Sequence, residues 1–333
     1  MGVMRLAVDA MGGDYAPAEI VAGAVQGARQ LDMGLILVGD PAAIRKELSG
    51  IPIDDLELEI VPASDVIRMD EDPSLAVRSR AEASINVACR LVRDGRAQGV
   101  LTMGHTGAGM VAALFNFGRI PDVERPAVIV PLLGLSKDLF LLDVGANADV
   151  RPDHLLQFAQ MGSAYAEYAG GVPNPRVGLL SNGSEPNKGS KIVREAYPLL
   201  AGEGRLNFIG NVEAHMLFAG QVNVVVADGF AGNVLLKASE GIAGTLLGQV
   251  EHAIRQLTPD AAAQAMPLVS ALKSRNHYAT YGAATLLGVQ FPMFIGHGRS
   301  KADAVCSAMA TAKRMIAADI VDKIRAVYRS DRL

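Results

Sequence analysis

Apolar runs of strand length alternate with helix-period segments along almost the whole of this chain, and a chain patterned that way has few ways to fold. It builds βαβ units, and therefore a mainly parallel sheet with helices on both faces. The runs at 5–9, 35–39, 56–61, 100–103, 127–132, 140–144, 177–181, 207–209, 222–227 and 292–295 read as strands. Helix periodicity fills 17–30, 82–94, 106–117, 152–168, 188–200, 233–256 and 300–328. Only a short Gly-Leu-Ser-Lys-Asp connection separates 127–132 from 140–144, which predicts a hairpin and so a mixed sheet. The expected class is α/β, three-layered and mainly parallel. No Ser/Pro/Gly-rich linker or charge run divides the 333 residues, so one α/β domain over 1–333 is expected. The alternation falters near 257–281, which reads as a projecting helical region.

Charge and apolarity narrow the partners. A formal net charge of -4, with no basic stripe carrying aromatics, argues against general nucleic-acid binding. Cys89 and Cys306 share no metal-ligand spacing and read as buried free thiols of a reducing compartment. The N-terminus enters a strand instead of a charged and apolar leader, and no apolar run reaches the ~18 residues of a membrane span. A cytoplasmic protein is expected. The alanine-rich helix after Thr258-Pro259-Asp260 carries Met266, Leu268, Val269 and Leu272 and ends in Lys273, Ser274 and Arg275. Such a face packs on the body or a second subunit, or lies on a membrane surface.

In a parallel sheet the ligand binds outside the carboxyl ends of the strands, and there the unusual residues gather. The segment NVVVADGFAGNVLLK (223–237) runs from an apolar strand through Asp228, Gly229 and Gly232 into a helix expected to begin near Asn233. Free N–H groups at such a helix start favour an oxyanion. Comparable turns carry Gly12, Gly13 and Asp14; His105 and Thr106; Gly145 and Asn147; Ser181 to Gly189; and His297. Six polar glycine turns at one sheet edge exceed what folding requires. Each also has a bland role: glycines supply positive φ, and Asp9, Asp14, Asp143 and Asp228 cap helices or hold neighbouring N–H groups. His105 at a helix start is read evenly as a cap or as a ligand, and His297 is positioned to donate to a phosphate oxygen. Lys188 opens a helix in this reading, a poor place for a cation by the dipole argument, which suggests a task. With Lys191 and Arg194 it also makes a basic face.

Several familiar signals are missing. No G-x-G-x-x-G follows the first strand, and there is no Walker A sequence, nucleophile elbow or tight metal-ligand motif. The chemistry is expected to use neither a protein nucleophile nor a bound dinucleotide, and no cofactor or metal is expected.

One family unites these turns. VDAMGGDYAP at 8–17, GHTGA at 104–108, RIPDVERPA at 119–127, DVGAN at 143–147, SNGSEPNKG at 181–189, DGFAGNVLLK at 228–237 and YGAATLLGV at 281–289 follow in order over nearly the whole chain. The series strongly resembles the bacterial phosphate acyltransferases of phospholipid synthesis. The resemblance implies an enzyme that moves a long-chain acyl group from acyl carrier protein to inorganic phosphate, giving acyl phosphate. It implies a homodimer that visits the membrane peripherally, with a Rossmann-like fold similar to isocitrate and isopropylmalate dehydrogenases and to phosphotransacetylases. It assigns function to Lys188 and Asn233, and a membrane-facing tip to 257–275. Lys188 and the N–H groups of 228–233 would then hold phosphate while Asn233 donates to the developing oxyanion, together with Gly12, Gly13, His105, Thr106, Asn147, Asp228, Gly229, Gly232 and His297 around the substrates. The chain departs from the family's usual pattern at His105, at 78–82 and at 282–285, which bears on pH dependence and carrier contacts. A phosphotransacetylase-like enzyme using coenzyme A, a metal-dependent dehydrogenase on the same fold and a non-catalytic carrier-binding or membrane scaffold are the competing readings.

Overall fold

The computed structural model describes residues 3–132, 138–275 and 278–329. Its strands are β1 (Arg5–Asp9), β2 (Gly34–Gly39), β3 (Leu58–Pro62), β4 (Gly99–Thr102), β5 (Ala127–Pro131), β6 (Phe140–Leu142), β7 (Arg176–Leu180), β8 (Asn207–Val212), β9 (Val224–Val226), β10 (Ala283–Leu287) and β11 (Met293–Gly296). The helices are α1 (Ala18–Leu31), α2 (Pro41–Leu48), α3 (Pro73–Ser79), α4 (Ser84–Arg93), α5 (Thr106–Phe117), α6 (Pro152–Ala164), α7 (Lys191–Gly202), α8 (Gly229–Arg255), α9 (Pro259–Arg275), α10 (Ala302–Ala317) and α11 (Ile320–Arg329). All these strands join one sheet in the order β3-β2-β1-β4-β11-β10-β5-β6-β9-β7-β8.

The sheet is apolar on both faces, as strands between two helical layers must be. Leu6 and Val8, Leu35 and Leu37, Leu101, Ile129, Phe140 and Leu142, Val224 and Val226 point into one core, with α1, α6 and α10 over it. Ala7, Ile36, Val38, Val100, Val128, Val130, Leu141 and Val225 point into the other, shared with α4, α5 and the start of α8. Each fully buried Leu, Ile or Val contributes about 1.5–3 kcal/mol, so the two cores fix register as well as stability.

Strand direction corrects one expectation. The ladders at the two ends of the sheet are parallel. The pairs β11–β10, β10–β5 and β5–β6 in the middle are antiparallel. Hence β1 to β5 and β11 run one way and β6 to β10 the other. The glycine turns do not lie at one edge: those after β1, β4 and β11 lie at one, and those after β6, β7 and β9 at the opposite one. The expected β5–β6 hairpin forms, and its connection 133–137 lies outside the described residues.

Other differences have local causes. β10 was not expected as a strand because Gly282-Ala283-Ala284 is poor in strand-forming residues, yet tertiary pairing with β5 and β11 imposes it. α2 and α3 were not expected either; both start at a proline after an aspartate whose carboxylate accepts from Ala42 N–H at 2.9 Å or Leu75 N–H at 2.8 Å. The expected helix at 300–328 is two, α10 and α11, broken at Asp319 with φ 49°. α7 begins at Lys191 and not at Lys188, because the Ser190 hydroxyl caps it by accepting from Val193 N–H at 3.4 Å. α8 begins at Gly229 and not near Asn233, and it is 27 residues long.

Only Gly229, Gly232 and Leu236 of α8 are buried. The rest of the helix turns back at Gln256 to Thr258 and pairs with α9. Lys273 on α9 makes an ion pair with Glu251 of α8, which also pairs with Arg255 at 2.6 Å. Among the described residues no helix is long and apolar enough to cross a membrane.

Candidate functional site

The middle strands are only three to five residues long, about 10–17 Å, so loops from opposite edges reach each other across one face. A cavity of about 280 Å³ opens there. Val128, Val130, Ala284 and Ile295 form its apolar floor. Thr106 and His297 enter from the edge beyond β4 and β11; Gly145 and Asn233 enter from the edge beyond β6 and β9. Lys237 and Tyr281 complete the polar wall.

Three expected site residues, Thr106, Asn233 and His297, therefore meet in one opening. Thr106 is the first residue of α5. Asn233 lies on the exposed side of the second turn of α8, and Lys237 follows it by four residues, which sets both on one helix face. That i, i+4 spacing was legible in NVLLK and marks Lys237 as the residue that sequence reasoning missed. Burial, assisted by the positive charge of Lys237 and opposed by Glu240, holds the His297 imidazole below its ordinary pKa. The neutral imidazole therefore dominates at pH 7. The Tyr281 hydroxyl donates to Glu240 Oε1 at 3.5 Å.

The remaining expected residues build the frame around this cavity instead of lining it. Asp143 is fully buried, and its carboxylate accepts from the N–H groups of Val128 at 2.9 Å, Gly145 at 3.3 Å, Ala146 at 3.1 Å and Asn147 at 2.7 Å, and from Asn147 Nδ2 at 2.9 Å. Burial raises its pKa while these donors oppose the rise, and only the carboxylate form accepts from all of them. Asn147 also donates to the Pro126 carbonyl at 2.8 Å, so its amide N–H groups are spent on the fold.

At the start of α8, three of the donors expected in the anion cradle at 228–233 have partners in the protein. Gly229 N–H donates to the Asn147 carbonyl at 2.7 Å, Ala231 N–H to the Asp228 carboxylate at 2.7 Å, and Gly232 N–H to the Asp228 carbonyl at 2.9 Å. These donors are engaged within the protein, and Asp228 is the helix N-cap. Nor does Gly232 supply a reversal of direction: a Cβ there would stand 1.9 Å from the Asp143 carbonyl oxygen. Its role is close approach of α8 to the end of β6.

At the other edge, Gly13 has φ 117°, and a Cβ on Gly12 would lie 2.9 Å from Gly104 N. Asp14 N–H donates to the Gly298 carbonyl at 2.8 Å, so the loops after β1, β4 and β11 are laced together. Buried Asp9 adds a bond from Thr102 Oγ1 at 2.8 Å. His105 is the N-cap of α5, its Nδ1 accepting from Ala108 N–H at 3.4 Å, and it does not line the cavity.

Lys188 is exposed on the loop after β7 and lies outside the cavity lining. Its loop and the start of α8 leave neighbouring strands, since Leu179 of β7 pairs with Val226 of β9. The basic face around it is partly spent: Lys191 lies 3.8 Å from Glu195, and Arg194 donates to the Gly189 carbonyl at 2.6 Å. A larger cavity of about 530 Å³, lined by Arg119, Glu124, Arg125, Arg151 and His154, contains none of the expected residues. Glu124 there is held by Arg151 and by His154 at 3.2 Å, whereas the smaller cavity brings together residues from both edges of the sheet.

The fold and cavity define a mixed α/β protein whose polar loops close over an apolar floor, an arrangement suited to a substrate with a charged end and a hydrocarbon end. Residues 4–323 match the family described as "Fatty acid synthesis protein", and the chain belongs to that family. A phosphate acyltransferase from Nitratidesulfovibrio vulgaris (strain DP4) is 44% identical over 313 residues, 91% of this chain and 89% of its own. One from Heliobacterium modesticaldum is 45% identical over 325 residues, 97% of each. In structure the chain is similar to a phosphotransacetylase from Streptococcus pyogenes, with TM-score 0.63 and 16% identity over 96% of this chain and 94% of that one. A 4-hydroxythreonine-4-phosphate dehydrogenase from Klebsiella pneumoniae gives TM-score 0.56 and 14% identity over 95% and 100%. Such low identities speak for the fold alone.

Proposed function

We infer that the protein is a phosphate acyltransferase that moves a long-chain acyl group from the thioester of acyl carrier protein to inorganic phosphate. Family membership supports the reaction class. The observation that carries the site is the convergence of Asn233, Lys237, Thr106 and His297 on one cavity floored by Val128, Val130, Ala284 and Ile295. A phosphate oxygen attacks the thioester carbonyl carbon, the C–S bond breaks, and the proton of hydrogen phosphate leaves with the thiolate as the free carrier thiol. The products are acyl phosphate and carrier thiol, with no proton gained or lost. Such a step asks for positioning and charge stabilisation more than for a strong base. Asn233 donates its amide N–H to the oxyanion of the tetrahedral intermediate, while the apolar floor receives the start of the acyl chain. Lys188, on the loop beside α8, adds positive charge toward the thioester donor.

We further propose a cytoplasmic homodimer with peripheral membrane contact, and a Rossmann-like core of the isocitrate and isopropylmalate dehydrogenase kind. The continuous sheet supports one α/β domain, with the α8–α9 pair as its projecting part.

The deciding assay mixes the protein with long-chain acyl carrier protein and phosphate and follows acyl phosphate by mass. Asn233→Ala is expected to lower kcat by about 10²–10³, the usual loss for one oxyanion donor. Turnover of acyl-coenzyme A alone would replace the carrier-protein reading, and full activity of the variant would remove Asn233 from the mechanism.

A further inference from the structure

The cation in the cavity is Lys237. It shares the cavity with Asn233, His297 and Thr106, whereas Lys188 lines no part of it. Its position four residues after Asn233 keeps it on the cavity side of α8. Glu240, three residues further along α8, accepts from the Tyr281 hydroxyl. Among the described residues Lys237 makes no ion pair.

We propose that Lys237 and His297, from opposite edges of the sheet, form the seat for the phosphate acceptor. The assignment rests on the acyltransferase reading above and refines it, because it divides the two lysines between the two substrates. Three features support it. A dianion in a half-enclosed site requires a fixed positive charge, and an ammonium supplies one without bidentate geometry. His297 and Thr106 line the opposite wall, so the dianion meets polar side chains on two sides. Three of the helix-start N–H groups expected as phosphate donors, those of Gly229, Ala231 and Gly232, are already bonded within the protein. Phosphate held between α8 and the loop after β11 stands beside Asn233, which places the nucleophile next to the oxyanion donor.

The test compares Lys237→Gln, His297→Ala and Lys188→Gln with the unaltered protein. Steady-state kinetics are run over phosphate at saturating acyl carrier protein, then the reverse. Lys237→Gln is expected to raise the phosphate KM at least tenfold with less than a twofold change in carrier-protein KM. Lys188→Gln is expected to leave the phosphate KM within twofold while kcat falls. Phosphate binding is also read without turnover, from the shift of labelled histidine resonances on titration with inorganic phosphate. The His297 signal is expected to move in the unaltered protein and to move only at far higher phosphate in Lys237→Gln. Lys237 is exposed, so the variant is expected to keep the thermal midpoint, and Lys237→Arg is expected to recover part of the phosphate affinity. An unchanged phosphate KM in Lys237→Gln overturns the assignment. Failure of the unaltered protein to make acyl phosphate would instead overturn the acyltransferase reading.

Discussion

At the scale of the residue, Asp143 shows how a site is supported by groups that never touch substrate. Its carboxylate collects five N–H bonds from four residues and so ties the start of β5 to the loop carrying Gly145, one wall of the cavity. Removing the carboxylate leaves several buried donors without acceptors, each costing about 1–3 kcal/mol. Asp143→Ala is therefore expected to lose at least ~3 kcal/mol in urea unfolding, and acyl transfer with it. A stability within ~1 kcal/mol of the unaltered protein would show that water takes over those donors. The same residue explains what was legible. The sequence flags Asp143, Asn147, Asp228 and the glycines as unusual, but it does not say whether a polar group faces a ligand or a neighbouring backbone. That distinction depends on which N–H groups come within 3 Å, and Asn147 illustrates it: its amide N–H groups go to Pro126 and Asp143.

Elements are where periodicity reads best and boundaries read worst. The strand runs and the helix over 106–117 were visible because apolar spacing reports burial directly. DGFAG resembles a turn, which puts the expected start of α8 four residues late, and only close packing reveals that Gly229 and Gly232 are helical residues pressed against the end of β6. Gly232 has no room for a methyl group: its Cβ would lie 1.9 Å from a backbone oxygen, and neither that oxygen nor the helix moves cheaply. Gly232→Ala is expected to destabilise by about 3 kcal/mol and to displace Asn233 and Lys237, so activity falls more than tenfold even in the folded fraction. Gly202, in the last turn of α7, has nothing within 4 Å of its Cβ position. There the same substitution is expected to be neutral or to stabilise by up to ~1 kcal/mol. Thermal melts of the two variants side by side give the comparison, and equal melting points would refute the close-approach account of Gly232.

The whole molecule holds what no local pattern expresses. The alternation announced a parallel sheet, but the reversal in its centre, caused by β10 and the β5–β6 hairpin, decides that the two sets of turns leave from opposite edges and meet over one face. The same scale leaves a large surface to account for. Ile242, Leu246 and Val250, four residues apart, are exposed along one side of α8. A helix of 27 residues that buries so little against its own body is a poor monomer element, since exposed apolar stripes of this extent mark interaction surfaces. The proposed homodimer is expected to use this stripe, with α8 of one copy against α8 of the other. Light scattering is then expected to report twice the 34.9 kDa chain mass. Leu246→Asp, at the middle of the stripe and far from the hydrophobic cores, is expected to give the single-chain mass with the far-ultraviolet spectrum retained, because a carboxylate facing an apolar partner is costly to bury. Since α8 also carries Asn233 and Lys237 at its anchored end, loss of the partner frees the helix that positions them, and activity should fall alongside the mass. A single-chain mass for the unaltered protein at micromolar concentration would refute the dimer and leave the stripe free for another surface, such as lipid, which vesicle flotation of the same sample would detect.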